Sequence, residues 1–177
     1  MSTWLAAAAL LFAVNPARRS LELEPRPAWR IAAVAGAGVL TAVIGLAALS
    51  GPLLDWLDVS PPTFRVAAGL VLGFRGLLDL VLTPKPEPEG LGGWGEALFP
   101  VGFPVLFRPE VAVIALAAGA DIGVVRTALL TVVPAALGVA AVTWWPGRRW
   151  ARSVGALLSV GAIVVGVALI ADGVIDI

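Results

Sequence analysis

Cysteine and histidine are both absent from the 177 residues, and there is a single methionine. Those absences exclude thiol chemistry, disulfides, imidazole acid–base work and the usual zinc, haem and iron–sulfur ligands. Only Asp and Glu remain as metal ligands, and they are scattered. Charge is scarce too, at 14% of residues, against about 25% in soluble domains. Twelve basic and twelve acidic residues sum to zero, and no dense basic run occurs. The composition therefore argues against a nucleic-acid partner. With no nucleophile–base pair and no metal-ligand set in view, an enzyme is not expected.

What is present is apolar: 59% of residues are hydrophobic and the mean hydropathy is +0.96, which excludes an ordinary soluble globular domain. The length suits one membrane domain over residues 1–177, with room for six crossings at about 20 residues each. Charge-poor stretches predict spans at 31–50, 64–82, 97–120 with breaks, 122–142 and 153–171. The segment 4–14 is short for a full span and stops at Asn15-Pro16. Arg18 and Arg19 follow it, whereas a secretory signal carries its basic residues first. It reads as a first helix ended by proline, which removes a donor and disfavours helix at the preceding residue.

Six spans put alternate loops on opposite sides of the bilayer. Eight of the twelve basic residues, Arg18, Arg19, Arg26, Arg30, Lys85, Arg148, Arg149 and Arg152, fall in the odd loops. The positive-inside rule makes those loops cytoplasmic and leaves both termini outside. The seven tryptophans all fall at span ends, where an indole buries its ring and keeps its N–H wet. A Pro/Gly-rich segment at 84–95 separates halves of about 1–83 and 96–177, each with three spans. Three is odd, so homologous halves insert in opposite orientations, the plan of many secondary transporters. The predicted fold is thus an all-α integral membrane protein of two inverted three-helix repeats. Its spans 1 and 4 are broken at prolines in corresponding positions.

Pro100, Pro104 and Pro109 cannot sit in one continuous helix. Pro109 opens a fresh half-helix with Glu110 in its first turn, both favoured there. Its N-terminus offers free N–H groups to a carboxylate; the alternative is a kinked helix packed without a ligand. In the third span, Arg65, Gly69, Gly73, Arg75, Gly76 and Asp79 share one helical face. Charges in a bilayer cost about 2.5–3.5 kcal/mol each on insertion scales, so that face points into the bundle. Arg75 and Asp79, four apart, suit an ion pair, with a proton or ion relay as the alternative. Arg65 lies near the outer end and could snorkel to the interface. Ala32 with Gly36, Gly155 with Ser159 and Ala162 with Gly166 suit packing seams. Asp121 and Arg126 are expected to be solvated. Glu22, Glu24, Glu87 and Glu89 fall in loops, at no spacing that makes a site.

Val14-Asn15-Pro16, Phe64-Arg65-Val66-Ala67-Ala68-Gly69 and Pro100-Val101-Gly102-Phe103-Pro104 followed by Pro109 together resemble the MarC family. These motifs lie in family order along nearly the whole chain. The resemblance implies a six-span protein of the bacterial plasma (inner) membrane with both termini outside, and transport of neutral amino acids. Asn15, Pro16, Arg65, Gly69, Pro100, Pro104 and Pro109 match the family pattern. The chain departs where Arg18 and Arg19 replace a Gly and an Asn, and where Arg108 and Glu110 replace two glycines.

The expectation is an alternating-access secondary transporter of small neutral amino acids or similar zwitterions. A carboxylate would sit at Pro109 beside Arg108 or Arg65, and an ammonium against Asn15 and carbonyls freed at Pro16 and Pro104. No cofactor is expected. Proton coupling would fall to Asp79 or Glu110, and sodium coupling to carbonyls and Asn15. The partners are the solute and the lipid bilayer, and the oligomeric state is open. The competing expectation is a non-transporting membrane structural or accessory protein whose ancestral site is filled by Arg18, Arg108 and Glu110. A channel would want more polar lining than the spans supply.

Overall fold

Every element in the computed structural model, which describes residues 1–23, 26–82, 93–99, 101–144 and 147–177, is helical. In chain order the α-helices are α1 (Thr3–Val14), α2 (Pro16–Arg19), α3 (Trp29–Leu57), α4 (Pro61–Val81), α5 (Pro109–Ile122), α6 (Val124–Trp144) and α7 (Arg148–Ile175). A 3₁₀ turn (Gly93–Ala97) and a π-helical turn (Val101–Leu106) precede α5. Most of the expected Pro/Gly-rich connection at 84–95 lies outside the described residues, as do Glu24, Glu87, Glu89, Pro100 and Trp145.

Among the described residues, three helices are long and apolar enough to cross a membrane: Trp29–Leu57, Val124–Trp144 and Arg149–Ile175. The remaining major helices differ for legible reasons. At 12 and 14 residues, α1 and α5 reach about 18 and 21 Å, short of the roughly 30 Å hydrocarbon core. α4 has 21 residues but carries Arg65, Arg75 and Asp79. Its polar face turns inward and its apolar face outward. Arg65, Gly69, Gly76 and Asp79 are buried, whereas Leu70, Phe74, Leu77 and Val81 are exposed. All six described tryptophans are exposed. An apolar exterior around a charged interior suits hydrocarbon surroundings and reverses the arrangement of a soluble domain.

Local chemistry sets the helix ends. Ser2 caps α1, its hydroxyl accepting from Leu5 N. Asn15 ends α1 in the left-handed region (φ 41) and simultaneously caps α2, its Oδ1 accepting from Arg18 N. Asparagine tolerates that conformation better than other residues with a Cβ. Pro16, Pro61 and Pro109 each occupy the first position of their helices, where the missing N–H has no intrahelical partner to lose. The span expected to end at Ser50 instead continues across Pro52 to Leu57, with the Ser50 hydroxyl donating to Ala47 O beside the interruption.

The Met1 amine lies 3.6 Å from both Asp121 of α5 and Asp172 of α7, so the chain starts beside the last turns of its final helix. This is the terminal end of the bundle, and the other is the distal end. α4 and α7, the most extensive helix pair, run antiparallel along a small-residue seam. A Cβ on Gly69 would lie 2.5 Å from Gly166 O, and one on Gly76 would lie 2.6 Å from Ser159 O. α3 packs on α5, with Gly119 against the Ala47 backbone, and on α6, with Gly36 against Val139. These glycines let helix backbones approach where a methyl group would not fit. α1 and α5 run in opposite directions and touch each other, so their interrupted ends meet inside the bundle.

Candidate functional site

Seven charged side chains join in one chain of alternating sign where α1 and α5 are broken. Arg18 Nε lies 3.1 Å from Asp79 Oδ1, which Arg75 reaches from four residues earlier at 2.9 Å. Arg75 Nε stands 3.4 Å from Glu110 Oε1, and the same oxygen is 3.3 Å from Arg19. Arg19 also meets Glu22 at 3.0 Å, and Glu22 meets Arg108 at 2.5 Å. Four arginines thus thread three carboxylates, which leaves one net positive charge. Arg19 is 1% exposed, while Glu22, Asp79 and Glu110 are each 4% exposed. Charges this deep are tolerable because each has an opposite partner.

The backbone groups released at the breaks are used by the same arginines. Arg19 Nε donates to Val14 O at 3.1 Å, and Arg108 Nε donates to Pro104 O at 2.9 Å. Arg18 donates through its terminal nitrogens to Asp79 O and to Leu82 O, covering carbonyls at the C-terminal end of α4. A cation there also complements the helix dipole. Within the π-helical turn Phe103 is extended (φ −126, ψ 131), and the Phe103–Pro104 bond is cis. Arg108 is extended (φ −120, ψ 163), and Pro109 begins a new helix, as its sequence suggests.

This arrangement redraws the expected solute site. Asn15 is 1% exposed and donates to Gly155 O (3.2 Å) and Ser159 Oγ (3.0 Å), tying the α1 break to α7. Positions foreseen for an ammonium, at Asn15 and the freed carbonyls, are taken by internal donors and acceptors. The acid at the α5 start is Glu110 itself. Pro16 is buried as the first residue of α2, and Pro109 is exposed as the first residue of α5. Arg108 stands at the break, whereas Arg65 does not: it is about 21 Å from Asp79 along α4. Glu22, expected to be an uninvolved loop residue, is a central member of the network. Its spacing of three from Arg19 was the available signal.

Arg65 organises a second charged assembly at the terminal end. It binds Asp121 through Nε and NH2 at 2.9 Å, Asp172 at 2.6 Å and Asp176 at 2.5 Å. Asp121 was expected to be solvated, but its side chain is only 7% exposed. The helix ends bring together residues far apart in sequence, and periodicity within one helix carries no information about that. Arg126 is exposed, as expected. Asp172 and Asp176 are 39% and 48% exposed, so the outer edge of this assembly reaches the surface while Arg65 and Asp121 stay buried.

Between the α4 C-terminus and the start of α7 is a pocket of about 350 Å³ at the distal end, lined by Arg18, Asp79, Leu82, Arg152 and Gly155 among others. Other clefts are lined almost wholly by apolar residues, such as Trp4, Leu11 and Leu129 in one and Leu40, Val132 and Trp144 in another. No cluster of three or more metal-ligating residues occurs among the described residues. The fold and site define an all-helical protein with three membrane-competent helices and a charged interior. No family model, curated protein or solved structure matches the chain.

Proposed function

We propose that the chain is a secondary transporter of small neutral amino acids or similar zwitterions, a divergent member of the MarC family working by alternating access. In this reading it crosses a bacterial inner membrane six times as two inverted three-helix halves, with both termini outside. The pattern of helix contacts supports the halves. α1 packs on α6 and α7, and α5 packs on α3 and α4; the second helices α3 and α6 pair, as do the third helices α4 and α7. A two-fold axis in the membrane plane produces such an exchange. One sequence interval also separates Leu57 from Trp144, where α3 and α6 end, and Pro61 from Arg148, where α4 and α7 begin.

The observation that carries the reading is the difference between the two ends. Arg65 ties α4 to α5 and α7 at the terminal end, whereas a pocket opens between α4 and α7 at the distal end. That is how a transporter closed to one side and open to the other is built. The pocket falls within the roughly 300–1,000 Å³ of small-molecule sites. Arg18 and Arg152 offer partners for a carboxylate, and Asp79 offers one for an ammonium. Coupling to protons would use Asp79 or Glu110, and coupling to sodium would use backbone carbonyls. Purified protein in liposomes should accumulate labelled glycine or alanine under a sodium or proton gradient. A flat signal under every gradient, with folded and correctly inserted protein, overturns the reading.

A non-transporting structural or accessory role is the second reading, and the enclosed network favours it. Arg18, Arg108 and Glu110, at positions that would otherwise admit a ligand, are all engaged by neighbours. That reading expects neither uptake nor protection of the distal pocket by any amino acid.

A further inference from the structure

We propose that Arg152 is the gate of the distal end, closing onto Asp79 when the Arg65 assembly opens. The proposal rests on the alternating-access reading and assigns the residue that performs the second closure. Arg65 and Arg152 occupy the same position in their helices, the fifth residue of α4 and of α7. The interval between them is the one that separates the two helix starts. Arg65 faces the closing turns of α7, where Asp172 and Asp176 lie. Arg152 faces the closing turns of α4, where Asp79 lies, because both residues line the distal pocket.

Their states differ. Arg65 is 3% exposed and held by three aspartates. Arg152 is exposed and pairs with no carboxylate among the described residues. Between the two arginines α4 and α7 touch backbone to backbone at Gly69, Gly166, Gly76 and Ser159. Ile170 and Ile163 of α7 seat over Gly69 and Gly76, and this seam between the two arginines serves as the fulcrum on which the helices rock. Rocking that parts Arg65 from Asp172 draws the start of α7 toward the end of α4. Arg152 then meets Asp79, which Arg18 and Arg75 already hold at the pocket wall.

The chain contains no cysteine, so one introduced thiol reports pocket access without background. Ala156→Cys, on the pocket lining, is labelled with a membrane-impermeant maleimide in everted vesicles and in the intact purified protein. Arg65→Gln leaves three aspartates facing the Met1 amine, and their repulsion opens the terminal end. Labelling in that background should fall about fivefold, the effect of a population shift of that size. Adding Arg152→Gln should restore it, while Arg152→Lys should not. Asp176→Asn, a milder release at a half-exposed position, should give the same pattern with smaller amplitude and covers the case in which Arg65→Gln does not fold. If labelling falls but Arg152→Gln does not restore it, the ends alternate and Arg152 is not the gate. If neither release variant changes labelling in folded protein, the ends are uncoupled, and the transport reading fails along with the gate.

Discussion

The two charged assemblies sit at opposite ends of α4 and are built from the same residue types, yet they do different work. At the distal end, four arginines and three carboxylates alternate in a buried chain that also takes up Val14 O and Pro104 O. At the terminal end, one arginine meets three aspartates, two of them more than a third exposed. Most members of the first are held by partners from other segments, and losing Asp79 or Glu22 strands Arg18 or Arg108 in a region of low dielectric. The second is a single buried hub, Arg65, two of whose three carboxylates, Asp172 and Asp176, are reached by water, so those two bonds can part and be replaced by hydration. The same chemistry is a clamp where charges alternate through many partners and a latch where one arginine gathers carboxylates that reach the surface.

Stability measurements can break this comparison, and Arg19 is the strongest test. Arg19→Met removes the hub of Val14 O, Glu22 and Glu110. Glu22 and Glu110 each keep one arginine, but Val14 O and both carboxylates lose a buried donor, and at about 1–3 kcal/mol for each buried group left short of a partner this should appear as a large drop in the unfolding midpoint in detergent. An effect under about 1 kcal/mol would show that the network is not a clamp. Glu110→Gln keeps the shape but removes the charge between Arg19 and Arg75, and should lose about 2–4 kcal/mol by the same measurement.

Asn15→Ala should come next, at about 2–3 kcal/mol. It forfeits the α2 cap and the bonds to Gly155 and Ser159, and puts a left-handed φ on a residue that resists it. Gly69→Ala tests the seam. A methyl 2.5 Å from Gly166 O forces helix separation and should cost about 1–3 kcal/mol, with loss of uptake if the seam is a fulcrum. Asp176→Asn should have the smallest effect on stability, under about 1 kcal/mol, because a partly exposed ion pair contributes little. Its effect on pocket labelling should nonetheless be measurable, and that contrast between small stability loss and altered access is what separates a latch from a clamp.

Much of this architecture was legible in one dimension. The inward face of the third span, the break at Asn15-Pro16, the fresh helix at Pro109 and the Arg75–Asp79 pairing all follow from spacing of a few residues, and each is present. The partners of the charged residues were less legible. Arg65 and Arg108 looked like two helpers at one site, but Arg65 sits at the terminal end of α4 and Arg108 at the start of α5, in the distal network. The freed carbonyls looked available, but Arg19 and Arg108 fold back onto them. Glu22 and Asp121 looked like surface acids because their partners come from other parts of the chain.

Composition, periodicity and proline positions determine that the chain avoids water, where its helices stop, and which face of α4 must be hidden. These properties depend on side-chain transfer energies and backbone sterics within a turn or two. The ion pairs that distinguish the two ends bridge 56, 86, 91 and 107 residues. No local rule selects among so many oppositely charged candidates. Glycine contacts between α4 and α7 and the meeting of α1 with α5 select them, by fixing which helix ends come within reach of an arginine side chain.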